Sequence, residues 1–192
     1  ATVTAATGSA VISWTAPASN GSDITGYQVT ATKTGLPTQS CSVGGSATSC
    51  TIYSLENKNT YTFMLKARNA AGESTGSTGV DREVAGIDQT ISLATTPAAD
   101  GWIAGDPNYQ IQASSNSGLT LSYATGNAAI CTVSSSGSVG FVSVGDCAIT
   151  ISQNGSNSRY NAATSVVVNF AIGPAVPSAP TTAMTLSLAI KS

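Results

Sequence analysis

The chain has 192 residues, 41% of them hydrophobic and only 8% charged, with a net charge of −2 and no histidine. An ordinary globular protein is about 25% charged, and this balance leaves no basic footprint for nucleic acid or an anionic membrane surface. The apolar content fills one or two cores, no apolar run approaches the roughly 20 residues that cross a bilayer, and imidazole chemistry is excluded outright.

Along residues 1–85, Ala10, Ile12 and Trp14 alternate with Val11 and Ser13, the period of a strand with one face in a core. Pro17 and the Asn20-Gly21 turn signal break it. Tyr27, Val29 and Ala31 face one way in a strand over 24–33, which Gly35 and Pro37 end. Two cysteine-bearing strands are expected over 39–43 and 49–53. Tyr61, Phe63, Leu65 and Ala67 then alternate with Thr62, Met64, Lys66 and Arg68. Leu55, a turn-rich run and Tyr61 have the spacing of a tyrosine corner, in which a buried phenol reaches back to upstream backbone. A last strand is expected over 76–84. Short strands with turn signals every 8–12 residues predict a β-sandwich.

Three stretches, Ser9-Ala-Val-Ile-Ser-Trp-Thr-Ala-Pro, Asp23-Ile-Thr-Gly-Tyr-Gln-Val and the Tyr61 corner, together resemble a bacterial fibronectin type III module over nearly all of 1–85. The resemblance implies a scaffold that carries no chemistry. A pair like Cys41–Cys50 also occurs in secreted bacterial members of that family. The Arg-Gly-Asp tripeptide of some animal members is absent, so receptor binding is not implied.

Residues 86–172 repeat the all-β pattern. Tyr109, Ile111 and Ala113 alternate with polar neighbours, as do Leu119, Leu121 and Tyr123. Cys131 with Val133, Val139 with Phe141, and Cys147 with Ile149 and Ile151 do the same, and Val166, Val168, Phe170 and Ile172 give a long closing strand. The sequence Ile130-Cys-Thr-Val-Ser, then Gly145-Asp-Cys-Ala-Ile-Thr-Ile, then Tyr160-Asn-Ala-Ala resembles the immunoglobulin-like repeats of large bacterial surface proteins over about 88–172.

The four cysteines, Cys41, Cys50, Cys131 and Cys147, allow three pairings. The two local ones fit best, because each falls inside one domain and brackets one expected hairpin. Zinc is disfavoured, since CxxC-like spacing and His ligands are both missing. Disulfides imply an oxidising compartment. The chain opens at Ala1 with no initiator Met, basic n-region or apolar h-region, the look of a mature secreted chain or of a fragment.

The most charged patch is Asp81-Arg-Glu-Val-Ala-Gly-Ile-Asp88. Asp81, Glu83 and Asp88, helped by Asp100 or Asp106, are candidate calcium ligands, but the D-x-D-x-D spacing of a calcium loop is missing. Solvated charge is the favoured reading, and no cofactor is expected. Trp102, flanked by glycines, is a candidate for stacking on a sugar face or, more simply, for capping one end of a sandwich. Asn20-Gly-Ser22 and Asn154-Gly-Ser156 fit the N-glycosylation pattern.

Gly173-Pro-Ala-Val-Pro-Ser-Ala-Pro180 reads as a stiff connector. In 181–192, Met184, Leu186, Leu188 and Ile190 alternate with Thr185, Ser187, Ala189 and Lys191. A lone apolar-faced strand is not stable by itself. It packs on its own chain, or begins a truncated third module, as Val176-Pro-Ser-Ala-Pro-Thr suggests, or adds to a neighbouring molecule.

No P-loop or G-x-G-x-x-G occurs and there is no histidine to complete a triad, so an enzyme is not expected. The whole predicts an all-β protein of two tandem immunoglobulin-like sandwiches, 1–85 and 86–172, with a connector and single strand over 173–192. The expected role is a self-associating structural protomer of a bacterial extracellular filament or surface stalk, with no nucleic-acid partner and no membrane insertion. The alternatives are a carbohydrate- or host-binding adhesin module, or a spacer in a secreted polysaccharide-degrading enzyme.

Overall fold

The structure, a computed structural model, describes residues 1–156 and 158–174. Every regular element among them is a β-strand, arranged as tandem β-sandwiches. The chain divides into two compact units: Ala1–Ile91 with Ser115–Thr120 and Gln153–Thr164, and Ser92–Ser114 with Leu121–Ser152 and the described residues from 165 to 174.

The first unit carries β1 (Thr2–Ala6), β2 (Ser9–Ser13), β3 (Ile24–Thr32), β4 (Gln39–Gly44), β5 (Ser49–Tyr53), β6 (Thr60–Asn69), β7 (Gly72–Glu73) and β8 (Val80–Glu83). One sheet runs β1-β2-β5, the other β4-β3-β6-β7, with β8 also on β6. Strand β1 precedes the first strand marked by the sequence pattern. It pairs Ala6 with Ser9 across a two-residue turn, and Gly8 there takes φ 68°, a conformation glycine adopts at no steric cost. The inward faces close one core of Ala10, Ile12, Trp14, Tyr27, Val29, Ala31, Ile52, Leu55, Tyr61, Phe63 and Val84. Burying each large side chain contributes about 1.5–3 kcal/mol. The Tyr61 hydroxyl accepts from the Glu56 N–H at 3.1 Å, which is the tyrosine corner expected from the spacing.

Next come β9 (Ile91–Leu93), β10 (Trp102–Ile103), β11 (Tyr109–Gln110), β12 (Ala113–Ser115), β13 (Ser122–Thr125), β14 (Cys131–Val133), β15 (Ser138–Phe141), β16 (Gly145–Ser152) and β17 (Val166–Gly173). The sheets are β10-β17-β16-β13, β11-β15-β14 and the pair β12-β9. The alternation of Tyr109, Ile111 and Ala113 does not make one strand. The chain changes sheets there, with Tyr109 on β15 and Ala113 in the strand paired with β9. Ile111, Val139, Cys147, Ile149, Ile151, Val168, Phe170 and Ile172 are buried, and β17 follows its predicted in–out pattern residue by residue.

Candidate functional site

The cysteines lie on four strands, and the expected pairs close: Cys41 with Cys50 (Cα–Cα 6.3 Å) and Cys131 with Cys147 (Cα–Cα 5.8 Å). No hairpin joins the strands of the first pair, whereas the second pair does bracket one, β14 with β15. Cys41 is on β4 and pairs through backbone with Val29, while Cys50 is on β5 and pairs with Ile12. Likewise Cys131 faces Phe141 on β14, and Cys147 faces Phe170 on β16. Each disulfide therefore joins the two sheets of its sandwich instead of two neighbours in one sheet. The sequence showed two closely spaced strands but not that consecutive strands diverge into opposite layers.

Trp102 is half-buried in an aromatic cluster. Its ring stacks on Phe141 at 4.7 Å and meets Tyr109 and Phe170 edge-on at 5.2 and 5.6 Å. Its indole N–H donates to Ala98 O at 2.8 Å, and Asp106 Oδ2 accepts from Ile103 N at 2.9 Å to hold the β10 turn. The residue suggested for sugar stacking thus serves the packing of its own sandwich.

The candidate calcium ligands are not brought together. Asp81 accepts from Thr62 Oγ1 at 2.6 Å on the exposed sheet face, and Asp88 accepts from Asn161 Nδ2 at 2.8 Å. Among the described residues no group of three or more His, Cys, Asp or Glu is within reach of one ion.

One polar cluster escaped the sequence reading. In the first unit, buried Gln89 donates to Gln153 Oε1 and Asn161 O, and accepts from Ser115 and Ser117 hydroxyls. Ile87 N donates to Arg159 O at 2.8 Å, Asn161 N to Ile87 O at 2.9 Å, and Lys58 Nζ to Tyr160 O at 3.3 Å. Gly155, at φ 79°, lies so close to Tyr160 O that a Cβ has no room. Both glutamines thereby meet the demand that buried amides be hydrogen-bonded. The separations involved, 64 residues for Gln89–Gln153 and 102 for Lys58–Tyr160, leave no periodic or local signal.

The assembly strand, Met184, Leu186, Leu188 and Ile190, lies outside the described residues. No described helix is long and apolar enough to cross a membrane.

No curated protein gives a significant match. Solved structures similar to the chain include a myokine (23% identity, TM-score 0.38, covering 44% of this chain and 90% of that one). The fibronectin(III)-like modules of Clostridium thermocellum CbhA match at 12% identity and TM-score 0.36, over 88% of each chain. The chicken CNTN1 FN1-FN3 domains match at 11% and 0.42, over 88% of this chain and 64% of that one. Residues 1–82 match the family model of the fibronectin type III domain.

Proposed function

We propose that the protein is a non-catalytic structural protomer of an extracellular filament or surface stalk, secreted into an oxidising compartment. Copies join through the strand at 181–191. The observation that carries this reading is the placement of the two disulfides. Each crosses from one sheet to the other, so a force that pulls the layers apart is borne by a covalent bond. Small extracellular domains gain such bonds where the core alone is thin. The fibronectin type III match over 1–82 supports a scaffold or spacer role for that part of the chain.

Mechanically, hydrogen-bonded sheets resist extension along the chain and the bridges resist their separation. The low charge, 8% of residues, lets like modules approach without strong repulsion. The test is electron microscopy and sedimentation of the purified chain beside a version ending at residue 174. Ordered fibres from the full chain and none from the shortened one are expected. Equal assembly by both overturns the role of the tail, and a monodisperse full-length monomer overturns the filament.

A further inference from the structure

Strand β17 is protected along one side only. On β16 its partners run from Ile151↔Val166 to Gly145↔Ile172. On the other side β10 covers just two positions, Trp102↔Ile172 and Ile103↔Gly173. Ala171 N donates to Ala99 O at 2.6 Å on that second side. Backbone groups two residues apart in a strand point the same way, so those of Val167 and Asn169 also face outward. Among the described residues they have no partner there. Val167 is 53% exposed, and Val166-Val-Val-Asn169 contains no charge or proline, the usual means of blunting an edge.

The edge leads into a groove of about 420 Å³ lined by Trp102, Ile103, Val144 and Ile172, with the carboxylates of Asp100 and Asp146 at its rim. Val144 is 56% exposed. The chain itself leaves through this groove at Gly173–Pro174.

We infer that this open edge of β17 and its groove are the acceptor for the 181–191 strand of a second copy. The inference rests on the strand-donation reading above and names the other half of the joint. The open part of this edge, Val166 to Phe170, spans about 17 Å at 3.3 Å per residue, within the reach of about 23 Å from Met184 to Ile190. Outward Val167 and Asn169 groups supply main-chain hydrogen bonds, and the apolar side chains of the donor set the register. The only charged side chain in 175–192 is Lys191, opposite in sign to Asp100 and Asp146.

A second copy is favoured over the same chain by the sequence that follows the groove. Residues 175–180 include Pro177 and Pro180 and, if extended at about 3.1 Å per residue, carry the strand roughly 19 Å onward in the direction β17 already runs. From 175 to 192 there is no Gly, Asn or Asp, the residues that supply the positive φ of a tight hairpin turn. Donor and acceptor are different segments of the chain, so the contact is heterologous and propagates.

The test uses the full chain, the chain ending at Pro174, and full-length Val167→Lys and Asn169→Pro. Val167 is exposed, so the lysine blocks the edge without touching the core. Proline at 169 removes one outward donor and leaves the β16 ladder intact. Both variants are expected to stay monomeric while the native chain assembles. In the native assembly the Val167 and Asn169 amides should exchange at least about tenfold more slowly than in the shortened chain. Native-like assembly of both variants, with the shortened chain still monomeric, overturns this acceptor and leaves strand donation standing. Assembly of the shortened chain overturns both. A full-length monomer whose two amides are protected shows the chain's own tail on the edge and overturns the second-copy assignment.

Discussion

Two tyrosines of the first core differ only in what their hydroxyls meet. Tyr61 and Tyr27 are both 1% exposed. The Tyr61 oxygen accepts from Glu56 N, whereas the Tyr27 hydroxyl has no partner among the described residues, as is true of the neighbouring Trp14 indole N–H. Losing a made bond leaves the Glu56 donor exposed to a desolvation cost, while losing an unmade one removes such a cost. Tyr61→Phe should therefore destabilise by about 1–2 kcal/mol, and Tyr27→Phe should be neutral or stabilising by up to about 1 kcal/mol. Urea unfolding of the two variants side by side checks the sign. A third phenol, Tyr123, has its pKa pushed up by burial. The raised folded value means its stabilising contribution is complete below the ordinary value near 10 and is lost as pH rises through the folded one. The Tm difference between native chain and Tyr123→Phe should stay constant through neutral pH and change above about pH 10, the native chain falling faster.

At the level of strands, the disulfides distinguish one sandwich from the other. Cys41 is only half-buried, while Cys131 and Cys147 are 0% and 1% exposed. Thiol–disulfide exchange needs access to sulfur, so mild reductant should open Cys41–Cys50 first, as alkylation and mass spectrometry would reveal. In the chain-entropy model, bridges with separations of 9 and 16 residues contribute about 2–3 and about 3 kcal/mol. Each Cys→Ala pair should lower the Tm of its own sandwich by roughly 10–20 °C. How far these elements could be read in advance follows from where their signals lie. Tyr61 to Ala67, Tyr27 to Ala31 and Val166 to Ile172 declared strands and inward faces because alternation is local, and the cysteine pairs were legible because their spacings are short. The layer crossed by each bridge was not, because the pairing of β3 with β6 joins residues such as Thr30 and Met64, which no local pattern links. Strand β10, two residues long and parallel to β17, is too short to show a period at all. The open edge of β17 is invisible for the same reason: an edge is defined by which strand fails to arrive.

For the molecule as a whole, the sparse charge makes a prediction about the kind of force that joins copies. The described part of the first unit carries Lys33, Lys58, Lys66, Arg68, Arg82 and Arg159, balanced by Asp23, Glu56, Glu73, Asp81, Glu83 and Asp88, while Asp100, Asp106 and Asp146 are the only charged side chains described in the second. Two modes of association separate cleanly on this distribution. If acidic and basic surfaces drew the copies together, raising salt from 0.01 to 1 M would shorten the screening length from about 30 to 3 Å and dissolve the assembly. If a backbone ladder and an apolar face join them, salt leaves both largely intact, and sulfate strengthens the apolar part. In the proposed joint, an exposed pair between Lys191 and Asp100 or Asp146 would add at most about 1 kcal/mol, too little to govern the outcome. The expected result is an assembled fraction nearly constant across that salt range and raised by ammonium sulfate, read by sedimentation. Collapse of the assembly at 1 M sodium chloride would instead place the joint on charged surfaces, and with it remove the reason to look for a donated strand.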